Sequence, residues 1–157
     1  MILGLGTDLV SVTRVESVLS RHPLRFAKKV LTEKEHVRFQ ALDAPGMAAA
    51  HRAKQFAAKE AVSKALGTGM RQGVHFNLIE VIRSPSGQPM VSLIGGALAV
   101  AQQLQVRSWH LSLTDDSGFV VAVAIADAVA FLVAIVLACL SGSPAELTTT
   151  TSSSSSP

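Results

Sequence analysis

Arg107-Ser-Trp-His-Leu-Ser-Leu-Thr-Asp-Asp-Ser-Gly-Phe-Val-Val-Ala-Val-Ala-Ile-Ala126 is the stretch that decides the fold. Two β-rich runs, Arg107 to Thr114 and Phe119 to Ala126, flank the turn sequence Asp115-Asp-Ser-Gly, which predicts an antiparallel strand pair. Just before it, Gly95 to Gln105 reads as an alanine-rich amphipathic helix. Further back, Asn77 to Arg83 alternates and Ser84-Pro-Ser-Gly returns the chain along Gln88 to Leu93, a second hairpin. A long helix is expected from about Met47 to Leu66, stopped by Gly67 and Gly69 and preceded by the turn Asp43-Ala-Pro-Gly. Thr32-x-x-Glu35 matches a capping box that opens a helix reaching about Leu42. Thr13-x-x-Glu16 matches another, opening a short helix that Pro23 ends. Ile2 to Thr7 is a short buried strand ending at Asp8. The order βαααββαββ predicts an α+β chain: a compact single domain with a mainly antiparallel sheet packed against helices.

At 157 residues the chain is long enough for one domain with a proper core. All fourteen Lys and Arg lie at or before Arg107, against ten of the eleven acids within residues 1–127, a surplus of four positive charges. Such a basic domain favours an acidic partner: nucleic acid, an anionic membrane or an acidic protein. The single cysteine, Cys139, excludes an internal disulfide and argues against a cysteine-based zinc site. Met1 leads into an apolar run with no basic n-region, and Asp8 interrupts it, so no secretory signal is read and a cytoplasmic protein is expected.

The C-terminal part divides from the domain at residue 127. Phe119 to Leu140 is twenty-two residues with one charge, Asp127. That length is formally a membrane span, but a central Asp costs about 2.5–3.5 kcal/mol on insertion scales and no basic cluster flanks it. The favoured reading is a buried strand to Ala126 and then a separate apolar segment over 128–140, with membrane contact the less favoured role. Residues 141–157 are Ser/Thr-rich and read as a disordered tail.

Five features can carry chemistry. Asp8 follows Gly6 and Thr7, where a carboxylate holds a hard cation or caps the following segment. Glu60 and Lys64 stand four apart on one helix face, either as an ordinary surface ion pair or as working groups. Alanines at 57, 58, 61 and 65 suggest close packing, which makes an idle glutamate costly. Residues 52–71 hold five basic groups and one acid, a composition suited to polyphosphate. Mg²⁺ takes one or two carboxylates plus phosphate oxygens. Gly67-Thr-Gly69 offers backbone N–H groups to a phosphate, or serves as a C-cap. His110 reads as a core histidine, a proton carrier or a ligand contact. Arg14 to Arg38 carries seven basic residues against three acids: a solvated face, or a dock for an acidic helix. Nucleic acid ranks last, because the chain has no groove-reading motif and no stacking-aromatic pattern.

Five blocks in one order give these residues a context: Gly4-Leu-Gly-Thr-Asp-Leu-Val10, Arg14-Val-Glu16, Val30-Leu-Thr-Glu-Lys-Glu35, Phe56-Ala-Ala-Lys-Glu-Ala-Val-Ser-Lys-Ala-Leu-Gly-Thr-Gly69 and Trp109-His-Leu-Ser-Leu-Thr114. Over residues 1 to about 126 the chain resembles the AcpS-type 4′-phosphopantetheinyl transferases, the holo-acyl-carrier-protein synthases. The resemblance implies their fold and a homotrimer with active sites between subunits. It implies transfer of 4′-phosphopantetheine from coenzyme A to a serine of apo acyl carrier protein, in support of fatty acid biosynthesis. Asp8 and Glu60 then match the Mg²⁺ ligands, and Lys64 matches a lysine at the transferring phosphate. Glu60 is the proton acceptor, directly or through a metal-bound water. Lys59, Lys64, Gly67 and His110 would contact coenzyme A. Arg14, Arg21 and Arg25 would meet the acidic helix of the carrier. Two departures stand out: Phe56 where the family often has tryptophan, and the extension beyond Ala126. The competing reading is a non-catalytic basic module that binds an acidic protein or a nucleotide, with Asp8 and Glu60 structural.

Overall fold

The computed structural model describes residues 1–40 and 47–128. The expected Asp43 turn, the apolar segment over 128–140 beyond its first residue, and the 141–157 tail lie outside the described residues. Strands β1 (Ile2–Ser11), β2 (Ile79–Arg83), β3 (Pro89–Leu93), β4 (Ser108–Asp116) and β5 (Phe119–Asp127) are interleaved with five helices. These are α1 (Val12–Arg21), α2 (Pro23–Val30), α3 (Glu33–Gln40), α4 (Met47–Ala65) and α5 (Gly95–Gln103). The sheet order is β1-β5-β4, with β2-β3 as a separate pair, and every pairing is antiparallel. The α+β architecture read from the sequence is the one observed. No helix among the described residues is long and apolar enough to cross a membrane.

Helix α4 lies across β1 and β5, and small residues set how closely. Ala57, Ala58 and Ala61 on the helix and Ala122, Ala124 and Ala126 on β5 are buried. Gly4 and Gly6 face the same way, paired with Ala126 and Ala124. A Cβ on Gly6 would overlap the Ala61 carbonyl oxygen, and one on Gly4 the Ala65 carbonyl oxygen. Glycine is required at both positions because strand backbone meets helix backbone. Alternation along the strand then aims Asp8 and Val10 at the α4 side and Leu5 and Leu9 at the other.

Several boundaries differ from the sequence reading. Strand β1 does not end at Asp8. It runs to Ser11, because β5 is long enough to pair Asp8 with Ala122 and Ser11 with Phe119. The cap of α1 is therefore Ser11, whose Oγ accepts from the Arg14 N–H at 3.4 Å, and Thr13 lies inside the helix. Pro23 does not simply end a helix. It starts α2 as that helix's first residue, where its missing N–H is no loss. The second capping box is as expected: Thr32 N–H donates to Glu35 Oε2 at 2.8 Å, and Glu35 N–H donates to Thr32 Oγ1 at 3.3 Å. The 108–127 hairpin is tighter than predicted. Asp115 and Asp116 stay in the strand, and the loop is Ser117-Gly118 alone, both at positive φ (49° and 81°), the backbone of a two-residue primed turn. Asp115 is thus free of turn duty, and its Oδ1 meets Lys54 Nζ at 2.8 Å.

Candidate active site

Asp8 arrives from β1, while Glu60 and Lys64 arrive from successive turns of α4. Lys64 Nζ donates to Asp8 Oδ1 at 2.8 Å and to the Thr7 carbonyl oxygen at 2.8 Å. Asp8 and Glu60 are close enough to interact: burial pushes the Glu60 carboxyl up from the ordinary range, the Asp8 charge pushes it further, and Lys64 opposes both. These three residues, with Arg14 and Phe56, line a cavity of about 460 Å³ floored by apolar groups including Phe26. Its size is that of a small-molecule site. Phe56 is braced from behind by Phe76, stacked at 4.9 Å between ring centroids. A pair of carboxylates, one held neutral to higher pH than usual, beside an ammonium and an arginine suits proton transfer next to an anionic ligand.

Not every expected residue converges here. Lys59 is fully buried on another face of α4, where Nζ donates to Glu35 Oε2 at 2.5 Å and to the Val30 carbonyl at 2.6 Å. Glu35 Oε1 also takes the Val81 N–H at 2.7 Å, so this carboxylate ties α3, α4 and β2 together. Burial lowers the Lys59 pKa and Glu35 counters it. Gly67 is the C-terminal residue past α4, at φ 75°, and its N–H is spent on the Lys64 carbonyl. His110 is exposed on β4, on the sheet face turned away from α4, with Nε2 3.8 Å from Asp127 Oδ2. Arg14 lines the cavity, Arg21 folds back on the Ser17 carbonyl at 3.1 Å, and Arg25 stands with Lys28 and Lys29 on α2.

Two participants escaped the sequence reading. The Thr7 carbonyl gives no signal in residue type. Glu35 was legible only as a cap, since its partner Lys59 lies twenty-four residues away.

The family model for the 4′-phosphopantetheinyl transferase superfamily matches residues 4–124. The chain belongs to that family. It is 44% identical over 124 residues to the holo-acyl-carrier-protein synthase of Photorhabdus laumondii, covering 79% of this chain and 96% of the relative. Its fold is similar to the crystal structure of the Neisseria meningitidis synthase, with TM-score 0.73, 34% identity, and 81% and 99% of the two chains covered. The Bacillus anthracis synthase, solved in complex with coenzyme A (3′,5′-ADP), matches with TM-score 0.68 at 31% identity, over 82% and 99% of the chains. In each case nearly the whole relative is spanned, and the family's part of this chain ends near the close of β5.

Proposed function

We propose that this chain transfers 4′-phosphopantetheine from coenzyme A to a serine of an apo acyl carrier protein, releasing adenosine 3′,5′-bisphosphate and supplying holo carrier for fatty acid synthesis. The observation that carries it is the convergence of Asp8, Glu60 and Lys64 on one cavity in a member of this family. Glu60 accepts the serine proton, which its raised pKa suits. Lys64 meets the charge on the transferring phosphate. Gly67, just past Lys64, has no atom within 4 Å of where a Cβ would stand, so the backbone at the end of α4 is open there to a pyrophosphate. We assign Lys59 to the architecture rather than to coenzyme A, because it is buried against Glu35.

Magnesium fits the donors present. Among the described residues no group of three or more His, Cys, Asp or Glu side chains is gathered, but Mg²⁺ needs only one or two carboxylates beside phosphate oxygens. Asp8 Oδ1 and the Thr7 carbonyl already converge on a cationic group, the Lys64 ammonium. Asp8 and Glu60 would hold the ion, whose contribution is to neutralise charge on the pyrophosphate.

Arg14 and Arg21 on α1, with Arg25, Lys28 and Lys29 on α2, are the basic residues we assign to an acidic helix of the carrier. A homotrimer is supported by the outer face of the three-stranded sheet, where Leu5, Leu9, Phe119 and Val121 are exposed. His110 shares that face. Because it stands outside its own subunit's cavity, we assign it a contact with coenzyme A bound at a neighbouring subunit. A cytoplasmic location agrees with the single cysteine.

The test is intact mass spectrometry of an apo acyl carrier protein incubated with the full chain, coenzyme A and Mg²⁺. A gain of one phosphopantetheine is expected from wild type, and from Glu60→Gln only after far longer incubation. A carrier that binds without gaining mass would instead identify the non-catalytic basic module.

A further inference from the structure

Lys64 lies on the two oxygens that best suit a hard cation. Its Nζ donates to Asp8 Oδ1 and to the Thr7 carbonyl oxygen, both at 2.8 Å. A carboxylate and a backbone carbonyl presented together are the donor types of a magnesium or calcium shell. An ammonium and a divalent cation cannot share these oxygens without like-charge repulsion. The two partners also differ in freedom. Asp8 is fixed in a central stretch of β1 with its side chain 15% exposed, whereas the Lys64 side chain is 47% exposed on the end of a four-carbon stem. The lysine is therefore the partner that moves.

We infer that Lys64 is an exchangeable counter-ion of the cation site, so that divalent metal and coenzyme A bind cooperatively. The inference rests on reading Asp8 and Glu60 as the metal ligands. A phosphate entering the cavity offers the ammonium a new anionic partner. As Lys64 turns to it, the Asp8 and Thr7 oxygens are released to the metal. The coupling is reciprocal: metal that displaces Lys64 from Asp8 leaves the ammonium for the phosphate. Glu60, one turn earlier on α4, faces the same cavity and completes the donor set. Lys64 thus both guards Asp8 against cations that arrive without substrate and meets the substrate when it comes.

Titration of the full chain with Mn²⁺ alone, followed by electron paramagnetic resonance of the free ion, tests this without reference to turnover. Lys64→Met should bind Mn²⁺ about tenfold more tightly than wild type, the scale of an ordinary coupling between sites. Lys64→Gln, the second uncharged variant, should do the same, while Lys64→Arg, which keeps the charge, should not. Added coenzyme A should tighten Mn²⁺ binding more in wild type than in Lys64→Met. A phosphate contact with no hold on the metal site predicts otherwise: Lys64→Met and Lys64→Gln would bind Mn²⁺ no better than wild type, and that result overturns the inference. If it comes with Mg²⁺-dependent transfer intact in wild type, the inference alone falls. Absence of Mn²⁺ binding by wild type even with coenzyme A overturns the metal reading and this inference together.

Discussion

Glu60 shows how a single residue's surroundings set two opposed behaviours. Its carboxyl is pushed above the ordinary 4.5, first by burial and then by Asp8. The folded chain therefore holds this proton to higher pH than the unfolded chain does. The stability contribution is present at low pH and is lost as pH rises from that ordinary value through the raised one. With Glu60 as the proposed base, transfer runs the other way, since the base must be ionised. Glu60→Gln should cut the transfer rate roughly 10²–10⁴-fold while leaving the melting temperature at pH 8 equal to or above that of wild type. A variant that melts well below wild type at pH 8 would mean that Glu60 holds the fold rather than the chemistry. Chelation belongs at this scale too: excess EDTA should stop transfer with the circular dichroism unchanged, and undiminished transfer would remove magnesium from the reaction. Gly6 shapes the site from further off. Gly6→Ala places a methyl against the Ala61 carbonyl, so it should destabilise by about 1–3 kcal/mol. It should also slow transfer, because Asp8 is carried two residues further along the same strand.

At the scale of elements, α4 is the part that does most, and its faces do different things. One lies on the glycines of β1 and the alanines of β5, a second aims Glu60 and Lys64 at the cavity, and a third buries Lys59 beside Glu35. The buried pair is joined to the α3 capping box and to β2, which locks the rotation of α4 about its axis. Lys59→Met leaves a buried, uncompensated carboxylate and should destabilise by about 3–5 kcal/mol. Lys64→Met removes a half-exposed ion pair and should cost no more than about 1 kcal/mol. Urea denaturation of both variants checks this; equal midpoints would show that the Lys59–Glu35 pair is not structural. The helix itself was legible, from its alanine content and terminal glycines. Which lysine faced the cavity was not, because Lys59 and Lys64 differ only in helical phase, and phase is set by packing. Helix α2 was missed because Pro23 is equally a terminator and a first helical residue. The run of β1 past Asp8 was missed because its pairing with β5 extends across more than a hundred residues of sequence.

The whole molecule presents a three-stranded sheet with α4 on one side and an apolar face on the other. Leu9 and Val121 sit opposite each other on that outer face. If this face makes the proposed trimer, Leu9→Asp or Val121→Asp should leave the subunit folded but shift the full chain from trimer to monomer in sedimentation, with transfer lost on dilution; an unaltered sedimentation coefficient would place the assembly contact elsewhere. The sequence by itself determined the α+β class, the hairpins, the capping box at Thr32, the surplus of positive charge, and the motif blocks that carry Asp8, Glu60 and Lys64. These are local matters of periodicity, turn chemistry and residue type, each readable within about twenty residues. Only the tertiary structure decided that Lys64 rests on Asp8 and the Thr7 carbonyl, that Lys59 is sealed against Glu35, and that His110 lies on the outer sheet face. Those facts depend on how closely two backbones approach and on the rotation of one helix over a sheet. Both are fixed by contacts between segments far apart in the chain, chiefly Gly4 and Gly6 against Ala61 and Ala65.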